Sequence, residues 1–277
     1  MKFLLILLCI ATIQAGVIKD DCPGIKINGI YYENETLHTG LDRPYLLAVD
    51  YSTNILFFSY SITDNENGFK TASINLNTKE FKDITVENGF AQTVDQGNHD
   101  IYIGGSNGIY KYDYGTNKAE IIGENVRGLN IWNLYYKDVL YYSAYPSQFL
   151  YTYIDGTSTR FKDLEDTKVD SIVIDNEDII FFTNATGLYS QKKGSKDSVF
   201  YEEHPRIGVR GLATDINGKV YVCIQDGIYV ANKETVTLDR VVNIDDAFGV
   251  SFDNDNNMIV SDATSLVRFK QVKHKKC

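Results

Sequence analysis

A repeat of about forty residues runs through the chain and restricts its fold more than any other feature of the sequence. Its clearest copies are Gly-Ile-Tyr at Gly108, Gly-Leu-Tyr at Gly187 and Gly-Ile-Tyr at Gly227. The first two glycines are 79 residues apart, which is two periods, and the last two are 40 residues apart. An apolar triplet precedes each copy, and an apolar stretch that ends at an aspartate precedes most triplets. These aspartates are Asp50, Asp95, Asp175, Asp215 and Asp253. A period of this length is typical of propellers and solenoids.

Six such units fit into the chain, each with three strong strands and a weaker fourth. The third unit carries residues 131–135 in place of an aspartate stretch. The 20 Tyr and 14 Phe residues also favour strands, because flat rings suit a pleated surface. Four short strands per unit without an amphipathic helix predict an all-β fold, a six-bladed β-propeller. The sixth unit ends near residues 269–271 without a fourth strand. We expect the N-terminal segment 29–33 to supply that strand, which closes the ring and covers the last sheet edge.

The first 15 residues have the pattern of a secretory signal peptide. Lys2 supplies a positive charge, residues 3–13 are apolar, and the small residue Ala15 precedes the expected cleavage site. This apolar run is too short to span a bilayer. We therefore predict a signal peptide at residues 1–15 and a single propeller domain at residues 16–277, secreted, monomeric and without a membrane partner. A net charge of −10 without a basic run argues against a nucleic-acid partner.

Three cysteines and two glycosylation sequons remain after the predicted cleavage. Cys22 and Cys277 lie near the two chain ends, and the oxidising extracellular compartment permits a disulfide between them that ties these ends together. Cys223 lies in a strand pattern and is expected to be a buried free thiol, with an intermolecular disulfide as the alternative. Asn34 and Asn184 each begin an Asn-X-Thr sequon, which predicts a glycan wherever the loop is exposed.

The loops that enter the innermost strand of each blade carry the candidate binding residues. Three of the seven arginines occupy such loops, namely Arg43, Arg127 and Arg210. Aromatic residues lie in or beside the loops at the same end, namely Phe90, Trp132, Tyr145 and Phe248. Arginines and rings around one channel mouth predict a site for a flat, acidic aromatic molecule. Two alternatives remain, because the aromatics can fill the space between blades and the arginines can pair with neighbouring acids. Those acids are Asp42, Glu124, Asp170 and Asp246.

Catalytic and metal-binding patterns are weak in this sequence. The four histidines have no zinc-ligand spacing, and neither a nucleophile elbow nor a phosphate-binding loop is present. The acidic run at residues 253–257 lacks the glycine and glutamate of a calcium loop and is interpreted as a hairpin turn. We therefore predict neither a cofactor nor a metal site. One alternative is a calcium ion held by channel residues, for which the candidates are Asn130, Asn133, Asp170 and Asp246.

Four segments of the sequence can be compared with known families, namely Cys-Pro-Gly-Ile at Cys22, Asp-Arg-Pro-Tyr at Asp42, Ile-Leu-Phe-Phe at Ile55 and Asn-Gly-Phe-Ala at Asn88. In these segments the chain resembles the insect ommochrome-binding proteins, and the resemblance extends over most of the chain after the signal. It implies a secreted protein of the haemolymph or tissues of moths and butterflies. Its implied ligand is an ommochrome pigment such as xanthommatin, bound non-covalently. Ommochromes are flat, fused aromatics with amino-acid and carboxylate groups, so they suit the channel mouth described above.

The sequence as a whole thus predicts a carrier of a small aromatic pigment that performs no catalysis. Two other classes remain as alternatives. One is a calcium-dependent lactonase or esterase of the propeller type, and the other is an extracellular propeller that binds proteins. Metal analysis separates the first from a carrier, and a stoichiometric protein partner identifies the second.

Overall fold

The computed structural model describes residues 24–27, 29–62, 65–201 and 208–272. The predicted signal peptide and the two cysteines of the predicted disulfide, Cys22 and Cys277, lie outside these ranges. Two 3₁₀ helices, Glu124–Val126 and Lys162–Leu164, connect strands of neighbouring blades. Within the described ranges, no helix is long and apolar enough to cross a membrane.

The described strands form six antiparallel sheets, so the predicted six-bladed propeller is confirmed. The chain begins with β1 (Ile25–Ile27) and β2 (Ile30–Thr39). Blade 1 contains β3 (Tyr45–Asp50), β4 (Ile55–Ile62), β5 (Asn65–Asn75) and β6 (Phe81–Ile84). Blade 2 contains β7 (Ala91–Asp95), β8 (Asp100–Gly105), β9 (Gly108–Asp113) and β10 (Lys118–Ile121). Blade 3 contains β11 (Asn130–Lys137), β12 (Val139–Tyr145), β13 (Leu150–Ile154) and β14 (Thr157–Arg160).

The second half of the chain repeats this order. Blade 4 contains β15 (Ser171–Ile174), β16 (Ile179–Asn184), β17 (Gly187–Lys192) and β18 (Ser198–Tyr201). Blade 5 contains β19 (Val209–Thr214), β20 (Val220–Ile224), β21 (Gly227–Asn232) and β22 (Thr237–Asn243). Blade 6 contains β23 (Gly249–Phe252), β24 (Met258–Ser261) and β25 (Ser265–Gln271). The first strand of every blade contacts the first strand of the next, and β23 contacts β3, so these six strands surround a central channel.

The apolar triplets of the repeat are the second strands of the blades, and both of their faces are buried. Phe57 lies in one apolar cluster with Ile101 of blade 2, whereas the next residue, Phe58, lies in another with Ile259 of blade 6. Consecutive side chains of a strand point to opposite faces. A strand sandwiched between two other blades must therefore be continuously apolar, which explains the triplet.

In every blade except blade 3, a repeated aspartate caps the turn that follows the innermost strand. In blade 5, one carboxylate oxygen of Asp215 accepts hydrogen bonds from the backbone N–H groups of Asn217 and Lys219, both at 2.9 Å. Asp175 binds its turn in the same way, and both aspartates are buried. These bonds satisfy backbone donors that the tight turn would otherwise leave unpaired. The aspartate is therefore repeated for local geometry rather than for chemistry.

The N-terminal strand completes blade 6, as predicted. Strand β2 pairs antiparallel with β25, and Glu35 lies opposite Arg268. The closing strand extends further along the chain than the predicted segment 29–33, because Leu37 is buried in the apolar cluster that blade 1 shares with blade 6. Strand β1 folds back on β2 and adds a fifth strand to the blade.

Candidate functional site

Six aromatic side chains form a row of ring contacts at the end of the propeller where the chain enters the innermost strands; we call this row the aromatic arc. Its members are Tyr45, Phe69, Phe90, Trp132, Tyr145 and Phe248, from blades 1, 2, 3 and 6. The ring centroids of Phe90 and Trp132 are 5.1 Å apart, and those of Trp132 and Tyr145 are 6.4 Å apart. Tyr45 lies 5.8 Å from Phe90 and 5.3 Å from Phe248. The structure therefore brings the four aromatics selected from the sequence into one continuous set of ring contacts.

The arc lies where the chain enters the innermost strands, which is the predicted channel mouth. Phe90 and Phe248 immediately precede β7 and β23, and Tyr45 is the first residue of β3. Trp132 occupies a β-bulge, because the pairing of β11 with β12 shifts between Ile131 and Asn133. A bulge redirects the side chain of the extra residue, and bulges recur beside functional sites. Most arc rings remain partly exposed, and Tyr145 is 57% exposed.

Tyr45 and Phe69 belong to the arc but were missed in the sequence. Tyr45 holds the same position in its repeat as Phe90 and Phe248, so an alignment of the repeats would have identified Tyr45 as a member of this group. Phe69 lies in β5, and its ring centroid is 4.5 Å from that of Phe90 in the next blade. Only the packing of blade 1 against blade 2 reveals this contact between Phe69 and Phe90.

The three predicted arginines differ in their surroundings. The guanidinium carbon of Arg210 lies 4.2 Å from the ring centroid of Phe248, so Arg210 extends the arc at its blade 6 end. Its Nη1 donates hydrogen bonds to the Asp246 carboxylate at 2.7 Å and to the Ala247 carbonyl at 2.9 Å. Like Trp132, Arg210 is the extra residue of a bulge, here between Val209 and Gly211 of β19.

Arg43 and Arg127 form ion pairs with acids of their own loops. Arg43 binds both carboxylate oxygens of Asp42, with distances of 2.9 and 3.2 Å. Arg127 binds both oxygens of Glu124 at 3.0 Å, and both side chains of this pair are largely exposed. These pairings correspond to the alternative considered for the sequence. Of the three arginines, the structure thus places Arg210 in direct contact with a ring of the arc.

A cavity of about 250 Å³ lies in the channel, lined by the innermost strands. Its wall includes Gln92 and Asn133, which closely follow Phe90 and Trp132 of the arc, and the glycines Gly211 and Gly249. Both amide side chains are buried, with 6% and 4% exposure. Gln92 and Asn133 thus contribute polar groups to the cavity at the end nearer the arc, and its wall continues to the opposite ends of the innermost strands, at Gln96 and Asp215. The six rings of the arc are not among its lining residues.

The candidate calcium residues are engaged in other interactions. Asp246 binds Arg210, and Gln148 donates a hydrogen bond to Asp170. Burial raises the pKa of the Asp170 carboxyl. Asn130 is an exposed first residue of β11, whereas Asn133 faces the cavity. Within the described ranges, no group of three or more His, Cys, Asp or Glu side chains is arranged to hold a metal ion.

The two sequons and the remaining cysteine lie in different environments. Asn34 is exposed on β2, and Asn184 is partly exposed at the turn between β16 and β17, where its side-chain oxygen accepts bonds from Thr186. Cys223 is a buried free thiol on β20. Burial raises the pKa of this thiol to about 12.

Comparison with known proteins confirms the resemblance found in the sequence. The chain is 29% identical over 275 residues to the ommochrome-binding protein of Manduca sexta, and the match covers 97% of each chain. No protein-family model matches the chain. Among solved structures, a gluconolactonase of Xanthomonas campestris matches 91% of this chain and 96% of its own, with a TM-score of 0.71 at 14% identity. The calcium-binding protein regucalcin of Agrobacterium tumefaciens matches 88% of this chain and 96% of its own, with a TM-score of 0.65 at 10% identity. At such low identities the structural matches establish the fold alone.

Proposed function

We propose that this protein is a secreted carrier that binds a small, planar, acidic aromatic pigment at the channel mouth and performs no catalysis. The observation that carries this proposal is the continuous aromatic arc with Arg210 at one end. The similarity to an ommochrome-binding protein supports a pigment of that class, for which xanthommatin is an accessible probe. The ligand is held non-covalently, with its rings on the arc and its carboxylate toward Arg210.

The rings of the arc supply part of the affinity. Burying a ring system of aromatic side-chain size removes about 150–250 Å² from water, which contributes about 4–6 kcal/mol at about 25 cal/mol per Å². Micromolar binding needs about 8 kcal/mol, and the entropy cost of association must be met in addition. Ring contacts alone therefore fall short, and a charged contact has to supply the remainder.

Arg210 is suited to supply that contact. Both of its described hydrogen bonds leave from Nη1, so its Nε–H and Nη2–H groups can bind a ligand carboxylate. A forked guanidinium–carboxylate interaction is stronger than a neutral hydrogen bond. We assign smaller contributions to Arg43 and Arg127, because each already binds both oxygens of a neighbouring carboxylate.

A fluorescence titration tests this proposal, because Trp132 is the only tryptophan of the chain and a member of the arc. Xanthommatin should quench its emission in a saturable manner, with about one ligand per chain. Arg210→Gln should weaken binding at least about tenfold, since a charge-assisted hydrogen bond contributes about 1.5–3 kcal/mol and about 1.4 kcal/mol is a factor of ten. Arg43→Gln combined with Arg127→Gln should have a smaller effect.

Arg240→Gln provides a matched control. Arg240 also pairs with an aspartate, Asp226, and its guanidinium carbon lies 5.0 Å from the ring centroid of Tyr229, but it belongs to an outer strand of blade 5. This variant should bind the pigment as the unmodified protein does. Absence of quenching, or equal affinities of the Arg210 and Arg240 variants, would contradict the proposal.

The hydrolase alternative has a direct test. Its calcium candidates Asp170 and Asp246 are already hydrogen-bonded by Gln148 and Arg210, which supports a carrier over a metal-dependent enzyme. Lactone or ester hydrolysis that is abolished by EDTA, together with stoichiometric calcium in the purified protein, would reverse this preference.

A further inference from the structure

Two side-chain oxygens in the channel wall have no hydrogen-bond partner within the described ranges: Oε1 of Gln92 and Oδ1 of Asn133. Their residues lie on the adjacent innermost strands β7 and β11, and both line the cavity below the aromatic arc. Buried polar atoms in folded proteins are nearly always paired, so two unpaired oxygens of the same kind in one cavity point to a missing partner.

The orientation of the Gln92 amide follows from its own hydrogen bond. Its Nε2 donates to the carbonyl oxygen of Phe90 at 3.0 Å. Because a carbonyl oxygen only accepts, the nitrogen must face Phe90, and a flipped amide is excluded. Oε1 is therefore left to accept a hydrogen bond from another group. Asn133, directly after Trp132 of the arc, presents a second unpaired oxygen in the orientation that the structure gives its amide.

The cavity has room for part of a ligand. Its volume of about 250 Å³ is below the roughly 300–1,000 Å³ of sites that enclose a whole drug-sized molecule. On the side formed by β19 and β23, the cavity borders Gly211 and Gly249. A planar molecule that stacks on the arc reaches Gln92 and Asn133 only if one of its edges enters the channel.

We propose that Gln92 and Asn133 bind N–H or O–H donors on the inner edge of the aromatic ligand, and that the site consequently selects the reduced form of a redox-active ring system. Reduction of a quinone-imine by two electrons and two protons converts a ring carbonyl into a hydroxyl and a ring imine into an amine. The reduced form thus presents donors where the oxidised form presents acceptors, and acceptors facing acceptors leave both sides unpaired. This inference rests on the proposed pigment-binding function.

The experiment measures the affinity of the protein for oxidised xanthommatin and for the same pigment reduced with ascorbate, both by anaerobic equilibrium dialysis. The unmodified protein should bind the reduced form at least about tenfold more tightly, which corresponds to about 1.4 kcal/mol. Gln92→Met and Asn133→Leu, measured separately, remove one acceptor each at similar size. Either variant should lower the preference at least threefold and leave the affinity for the oxidised pigment nearly unchanged.

Gln191→Met is the matched control. Gln191 is a buried glutamine of blade 4 whose amide donates to Asp163 and Ser195 and accepts from Ser198. Its replacement should destabilise the fold but leave the preference for the reduced pigment unchanged. A thermal melt of each variant verifies that the measured protein is folded, and a failure of one channel variant to fold leaves the other as the test.

The possible failures are distinguishable. If neither form of xanthommatin binds, the proposed function fails. If both forms bind equally, or if the channel variants retain the full preference, the proposed function stands and the acceptor pair is wrong, with water as the partner of the two oxygens.

Discussion

One buried guanidinium, that of Arg268, links the closing strand β2 to blades 6 and 1, which makes Arg268→Met an informative perturbation. Arg268 on β25 is 3% exposed and donates to three parts of the chain. Its Nε binds Glu35 of the N-terminal strand at 2.8 Å, and its Nη1 binds the turn-capping Asp253 at 3.2 Å. Its Nη2 binds the carbonyl of Leu76 in blade 1 at 2.8 Å. Methionine keeps much of the apolar stem and removes all three donors.

The expected cost follows from what the substitution leaves behind. Removal of one partner from a buried ion pair costs about 3–5 kcal/mol, because the other charge stays buried without compensation. Here Glu35 keeps Lys79 and Lys270 as partners, and Asp253 keeps the backbone N–H groups of its turn. We therefore expect the lower end, about 3 kcal/mol of unfolding free energy. For a domain of this size, that corresponds to a fall in Tm of about 6–12 °C.

Thermal unfolding monitored by circular dichroism measures this effect. Arg240→Met is the control, because the Arg240–Asp226 pair is about half exposed and such pairs contribute about 0–1 kcal/mol. Its Tm should fall by less than about 4 °C. If Arg268→Met lowers the Tm no more than the control does, then the strand pairing alone closes the ring and the reasoning about the buried arginine is wrong.

Two further predictions concern titratable groups. The Cys223 thiol, whose pKa burial raises to about 12, should resist iodoacetamide at mildly alkaline pH in the folded protein and react once urea unfolds it; peptide mass spectrometry reads the outcome, and labelling of the native chain would contradict it. Burial disfavours the charged form of Asp50, but hydrogen bonds from Tyr114 and Thr53 outweigh this and lower its pKa below the usual value of an aspartate. The stability from this carboxylate is therefore present above the unfolded pKa and lost as the pH falls through the folded one. Asp50→Asn should flatten the acid side of a plot of Tm against pH, and an unchanged slope would exclude Asp50 as a contributor.

Much of the architecture was determined by local sequence patterns. The aspartates that cap the turns, such as Asp215, and the apolar triplets, such as the one containing Phe57 and Phe58, act within a single hairpin or strand. Their period could therefore be read directly, and it predicted six blades. The closing strand was located less accurately, because its extent depends on its pairing with β25 and on the burial of Leu37 against blade 1.

The aromatic part of the candidate site was likewise predicted in part from the sequence and in part revealed only by the folded structure. Position in the repeat was sufficient to select Phe90, Trp132 and Phe248, because each lies where the chain enters an innermost strand. The bulge at Trp132 is recognised only from the register of β11 against β12. The contact of Phe69 with Phe90 is recognised only once two blades are packed together. Neither feature has a signature within a single strand.

The polar part of the site was decided by tertiary structure alone. The sequence placed Arg43, Arg127 and Arg210 in equivalent loops, but only the folded chain shows that Arg210 also stacks on Phe248. The unpaired oxygen of Gln92 likewise results from the carbonyl of Phe90 holding the other end of the amide. Periodicity thus determined the blades and the position of the channel mouth, because both follow from short-range patterns. Tertiary packing determined which charges and hydrogen-bonding groups remain available there, because that depends on which groups from other strands are close enough to bind them.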